Sequence, residues 1–160
     1  MMIESICQEL NNWFDRDQPK YFGNFMLSGS TITDDFGNTV TFLEGQYFRI
    51  VGSVLNDGVY QYSSTPTYTF ESEAFANGAI WAMAVPHTVV SLAAEIEDWM
   101  TKYAGVDSQA MSPYNSESFG GYSYSKSGGG SGSGSSDGGA SWQGVFANRL
   151  KPWRKIKCHC

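Results

Sequence analysis

Three short stretches of this 160-residue chain carry side chains whose types and spacing could do chemistry. Ser123-Tyr-Ser-Lys126 fits the S-x-x-K spacing of a lysine-activated serine, and Gly134-Ser-Ser-Asp-Gly138 fits the G-x-S-x-G of a nucleophile elbow. Both chemistries need a framed turn that holds the hydroxyl beside its base. Both matches lie in Ser/Gly-rich sequence, with no strand before and no helix after to supply that frame. The third stretch, Cys158-His159-Cys160, offers two thiols and an imidazole. A stable zinc site needs about four ligands in tetrahedral array, usually with two residues between cysteines, and Cys7 could complete the set only if the chain ends meet.

Elsewhere the chemistry thins out. His87 sits beside Pro86 at the start of a helix, where a neutral or capping ring is expected, and His159 is remote in the tail. Glu95, Glu97 and Asp98 read as the charged outer face of a helix, not as a paired acid and base. The run at 127–139 holds only Gly, Ser and one Asp, without the G-K-[ST] ending or the strand–loop–helix frame of a phosphate loop. The expectation is a non-enzymatic protein with no catalytic, cofactor-binding or metal residue and no cofactor.

Charge points to partners instead. The net charge is −6, but it is unevenly spread. Before Arg149, five basic residues face all sixteen acidic ones, a balance of −11, whereas Arg149, Lys151, Arg154, Lys155 and Lys157 make the end of the chain +5. An acidic body with a basic tail suits contact with an acidic surface, on a protein or a nucleic acid. Three cysteines, an odd count with Cys7 far from the Cys158/Cys160 pair, do not make a secreted disulfide framework. Ile3–Phe14 is interrupted by Glu4, Gln8 and Glu9, so it does not read as a signal peptide, and no apolar run approaches the ~20 residues of a membrane span. A soluble protein made in the cytoplasm is expected.

The elements that would position these residues follow from periodicity. Ile3, Ile6, Cys7, Leu10 and Phe14 predict an amphipathic helix over 3–14, ended by Pro19. "YFGNFML", "NTVTFL", "QYFRIVGS" and "GVYQY" predict four strands in a small antiparallel sheet over 21–63, with Asn56-Asp57-Gly58 as a tight hairpin. "SEAFANGAIWAMAV", capped by Ser72, predicts a helix ending before Pro86. Val89, Leu92, Ala93, Ile96, Trp99, Met100 and Tyr103 predict a second helix over 87–103, stopped by Gly105. These two would pack as a hairpin and form the core. No period survives in 106–141, and Trp142, Val145, Phe146 and Leu150 mark a short helix before the basic tail. The expected fold is α+β: a helical core of N-terminal helix, central helix pair and C-terminal helix, with a small antiparallel sheet inserted and a long Gly/Ser-rich loop. The expected divisions are a core over 1–105, a flexible Ser/Gly/Tyr segment over 106–141 and a docking arm over 142–160.

Aromatic residues are plentiful, including Tyr47, Phe48, Tyr60, Tyr62 and Tyr68, and could stack single-stranded bases. Residues 21–63 hold only Arg49 as a cation, too few for phosphate binding, so packing is the better use. In order, the short helix, the helix pair, "SESFGGYSYS" at 116–125 and a terminal helix ending in basic residues resemble the head–tail connector (adaptor) proteins of tailed bacteriophages and prophages. In that family a motif of the form S-E-S-x-G-x-Y-S follows the core helices; here Ser116, Glu117, Ser118, Gly120, Tyr122 and Ser123 match it with one extra Gly. "GQYFRIVGSVLNDGVYQY" is similar to a β-hairpin phrase of phage structural proteins. The sheet departs from the plain helical form of the family.

The resemblance implies a virion protein of the neck, made in the host bacterial cytoplasm. It implies a homo-oligomeric ring, typically a dodecamer, that touches the portal protein, stopper and tail proteins, and DNA passing through the channel, but no membrane. Phe119, Gly120, Tyr122 and Tyr124 would make subunit contacts, while Trp142, Phe146, Arg149, Leu150, Trp153 and Arg154 would dock on the portal. A stopper or tail-completion protein of the same neck, and a DNA-contacting protein using the basic tail, are the alternatives.

Overall fold

The segment that decides the architecture is Phe70–Met83. Three of its large apolar residues, Phe70, Phe75 and Ile80, recur every five positions, a spacing that fits neither a helix nor a plain strand. In the computed structural model, which describes residues 1–103, 116–119, 122–125 and 141–155, this segment is a strand of 14 residues. The helical reading of 72–83 is therefore overturned, and with it the central helix pair and the helical core.

The elements run α1 (Met2–Leu10), β1 (Lys20–Gly29), β2 (Thr31–Asp34), β3 (Tyr47–Val51), β4 (Gly58–Gln61), β5 (Phe70–Met83), α2 (His87–Tyr103), β6 (Ser116–Phe119), β7 (Tyr122–Ser125) and α3 (Trp142–Leu150), followed by a 3₁₀ turn at Lys151–Trp153. Five strands form an antiparallel sheet in the order β2-β1-β5-β3-β4, so the sheet is the core of its unit and β5 its centre. The chain divides into two compact units, one built from Met1–Ala93 and resumed at Trp153, the other from Ala94–Pro152.

Register explains how a period of five becomes a strand. Against β1, Gly23 pairs with Gly78 but Phe25 with Phe75, so Ala76 and Asn77 together oppose Asn24. A second shift, between Leu27/Glu73 and Gly29/Phe70, sets Glu71 and Ser72 against Ser28. Each extra residue is a β-bulge that returns the next large side chain to the same face. Phe70, Phe75 and Ile80 thereby join Phe25, Leu27, Ile32, Val40, Phe48 and Ile50 in one buried cluster. Asn77 takes φ 54°, which an Asn tolerates, and its N–H donates to Asn24 Oδ1 at 3.3 Å. Gly78 is needed because a Cβ there would collide with the Phe75 ring and lie 3.2 Å from the Val51 carbonyl.

The cluster is roofed by aromatics. Phe42 stacks on Phe48 with centroids 4.4 Å apart, Phe48 on Tyr60 at 5.6 Å, and Tyr68 meets Tyr60 and Phe70 at 5.3 and 5.0 Å. "NTVTFL" thus contributes roof rather than strand: apart from a bridge between Thr39 and Thr33, it belongs to no strand. The second strand of the sheet is Thr31–Asp34 instead.

Other expectations shift less. Helix α1 ends at Leu10, because Asn11 adopts the left-handed conformation (φ 49°) that closes a helix. β3 and β4 form the expected hairpin, but its connection is the longer loop 52–57, and Asn56 is buried within it. α2 spans 87–103, with the Pro86 carbonyl accepting from the Val89 and Val90 amides. Ser141 caps α3, its hydroxyl accepting from the Gly144 amide. Within the expected loop, β6 and β7 pair with each other from Ser116/Ser125 to Phe119/Tyr122.

Candidate functional site, a basic strap on an acidic notch

The end of α1 builds a receptor from four consecutive local decisions. Asn11 turns the chain left-handed, and the Asn11 and Asn12 amides satisfy the Gln8 and Cys7 carbonyls. That leaves the Leu10 carbonyl free to accept from outside the helix. Asn12 Oδ1 accepts from the Phe14 amide at 3.1 Å, fixing a second tight turn in which Phe14 has φ 51°. The Phe14 carbonyl accepts from Ala84 N at 2.8 Å, which ties the turn to the residue following β5.

Into this notch comes Trp153-Arg154-Lys155. The Trp153 carbonyl accepts from Asn12 Nδ2 at 2.9 Å, and its indole meets the Phe14 ring edge-on with centroids 6.1 Å apart. Arg154 pairs with Glu9. The Lys155 amide donates to the Leu10 carbonyl at 3.0 Å, while its Nζ lies 3.4 Å from Asp15, which also holds Lys20 at 2.6 Å. Burial pushes the Asp15 carboxyl up, but hydrogen bonds from Lys20, its own backbone and Lys155, with the Lys155 charge, carry it below the usual carboxylate range. The arrangement holds an aromatic residue followed by two cations, Trp153-Arg154-Lys155 of the same chain. Its parts are individually modest: exposed ion pairs contribute about 0.2–1 kcal/mol each and an aromatic pair about 0.5–1.5 kcal/mol.

Of the residues expected to dock on a portal, Trp153 and Arg154 therefore lie in this notch. Phe146 and Leu150 are buried on α3, where Trp99 meets Phe146 edge-on at 6.3 Å. Arg149 grips both carboxylate oxygens of Glu95, at 2.5 and 2.9 Å, and Trp142 is half-buried at the start of the helix. The hydrogen bond from Arg149 holds the Glu95 carboxyl below its usual range, so a residue read as outer-face charge is a specific partner. Of the expected subunit contacts, Phe119 and Tyr122 close the β6–β7 hairpin and Tyr124 pairs with Glu117, whereas Gly120 lies outside the described residues. The segment 127–139, the Gly134–Gly138 motif within it, Lys126 of the S-x-x-K match and Cys158-His159-Cys160 lie outside them as well.

Sequence reasoning missed Glu9, Asn12, Phe14 and Asp15. A signal existed, since a +5 tail needs acidic partners and "QELNNWFDRD" is a turn-rich acidic stretch. Nothing in the sequence placed the two ends together.

Further surfaces belong to the sheet. The Arg49 guanidinium lies 3.5 Å from the Trp13 ring centroid and 5.4 Å from that of Trp81, and the Arg49 Nε and Trp81 Nε1 donors are buried without a hydrogen-bond partner. Cys7, fully buried, has its thiol pushed up to about 12 by burial, against the nearby Arg49 charge, which makes it a poor thiolate or metal ligand. Among the described residues no His/Cys/Asp/Glu group is arranged to hold a metal ion, and no helix is long and apolar enough to cross a membrane. His87 Nδ1 lies 3.4 Å from Ser91 Oγ, one helical turn along the exposed start of α2.

A groove of about 490 Å³ crosses β2, β1 and β5, with Met26, Ala74 and Ala76 among its lining and Asp34 and Asp35 at its polar margin. The β3–β4 loop presents Val54 and Leu55 to solvent on a rigid frame: Glu73 accepts from Ser53 Oγ (2.5 Å), Val54 N, Leu55 N and Asn56 Nδ2. These bonds, led by that from Ser53, hold the Glu73 carboxyl below its usual range. Comparison with protein families, curated proteins and solved structures finds no match to this chain.

Proposed function

We propose that this chain is a structural assembly protein of the tailed-phage neck, a head–tail connector that works as a homo-oligomeric ring between portal and tail. The observation that carries the assembly part is exposed apolar surface on rigid frames. Phe22, Phe36 and Val54 are 71%, 86% and 88% exposed, on a strand, a tight turn and a carboxylate-pinned loop. Exposed apolar and aromatic side chains of this kind are what the core of an interface buries. The neck part rests on the resemblance at 116–125 and in the β3–β4 phrase. The β6–β7 pairing supports it by giving "SESFGGYSYS" a defined hairpin to present.

The proposal differs from the plain helical form of the family, since here the sheet is a core in its own right. The test is co-assembly of the purified full-length chain with the portal protein encoded in the same genome, followed by electron microscopy of the complexes. A ring of this chain on the portal is expected. A chain that stays monomeric and leaves the portal bare would end the proposal. A DNA-contacting role would appear as salt-sensitive binding to duplex DNA, and it has less support because the basic residues Arg154 and Lys155 are neutralised by Glu9 and Asp15.

A further inference from the structure

We infer that the notch at the end of α1 is an arm-exchange site: the Trp153–Lys155 strap of one copy seats on the Glu9–Asp15 notch of another. This deepens the assembly reading, on which it rests for the meeting of copies, by naming the contact that joins them.

Three observations support exchange over a permanent internal clasp. The strap is not continuous with the body that it grips, since the chain leaves that unit at Ala93 and resumes it at Trp153, after a second compact unit. Topology of this kind lets an element be traded between identical copies at little cost, because the contacts made are the same within a chain or between chains. The strap is also held by polar contacts at the surface rather than by a buried apolar plug: Arg154 and Lys155 keep 56% and 50% of their side chains exposed. Such contacts form and break readily, and the charge match is strong because the body is acidic and the strap basic. The notch itself is preformed, since the turns at Asn11 and Phe14 are fixed by bonds within α1 and its following loop, and by Ala84.

The Glu9–Arg154 pair permits a decisive charge-reversal test on the full-length chain. E9K and R154E each set like charges together, within a chain or between identical chains. Mixed, the two variants find opposite charges only across copies. The unaltered Arg154 of the E9K chain then meets the unaltered Glu9 of the R154E chain, and the two substituted side chains meet each other. With one variant isotopically labelled and both at high concentration, native mass spectrometry of the mixture should show mixed oligomers enriched about fivefold over either variant alone. That is the factor carried by an exposed ion pair of about 1 kcal/mol. The doubly substituted E9K/R154E chain controls for folding and should behave as wild type.

A mixture with no enrichment of mixed oligomers, while E9K/R154E regains wild-type shielding of Trp153, would overturn exchange and leave a clasp within one chain. That failure is separable from failure of the neck reading. Portal rings formed by chains that do not exchange would remove only this inference, and mixed oligomers that ignore the portal would remove only the other.

Discussion

Two regions of the molecule are held in opposite ways. The face of the sheet around Phe48 is dry: Phe48, Leu27, Ile50 and Ile80 are fully buried, and aromatic rings close over them. The strap on the α1 notch is wet, made from ion pairs, two hydrogen bonds and one edge-on aromatic contact. Burial scales with area and is lost only when the unit unfolds, whereas surface ion pairs are screened and open locally. The first region specifies the fold. The second is free to be used.

The sharpest way to break the contrast is at its dry end. Phe48→Ala should destabilise the protein by about 3–5 kcal/mol in denaturant unfolding, because it removes a buried ring and leaves a cavity beneath Phe42 and Tyr60. Gly78→Ala should cost about 1–3 kcal/mol, since the Phe75 ring must leave its place over the strand. Gly23→Ala, on the paired position of β1, meets open space but sits at φ 147°, where any Cβ is strained, so it too should cost about 1–3 kcal/mol, through the backbone rather than by collision.

At the wet end, Trp153→Ala should remove about 1 kcal/mol or less from global stability. It should nonetheless strongly speed amide exchange at Lys155, whose N–H is held by Leu10. An equal loss in both measurements would mean that the strap is part of the core. Acid gives the smallest effect. The Asp15 carboxyl is held below its ordinary value of 3.8 in the folded chain, so its contribution is present above that pH and is lost as pH falls through the lower folded value. Trp153 fluorescence should report release of the strap below about pH 4, with the sheet still folded. Release already at neutral pH in moderate salt would show that the aromatic contact carries almost nothing.

Legibility in the sequence follows the same divide between local and distant causes. Helix α2 can be read because its apolar stripe, from Val89 to Ile96, has the period of the structure it forms. The β3–β4 hairpin can be read because Phe48, Ile50 and Tyr60 alternate. The stripe of α1 runs on to Phe14 and so overextends the helix, which Asn11 ends. For Phe70–Met83, Ala-rich composition and the absence of β-branched residues other than Ile80 argue for a helix. Pairing with β1 on one side and β3 on the other outweighs that propensity, and two bulges reconcile the five-residue spacing with one buried face.

What the sequence determined by itself is therefore the apolar stripe of α2, the alternation of β3 and β4, and the charge split between body and tail. Which segment occupies the centre of the sheet, and which acidic group meets which basic one, only the tertiary structure decided. Local propensity differs by less than about 1 kcal/mol per residue between helix and strand, so partners distant in the chain settle the choice. A contact such as Glu9 with Arg154 spans nearly the whole chain and leaves no periodic trace in it.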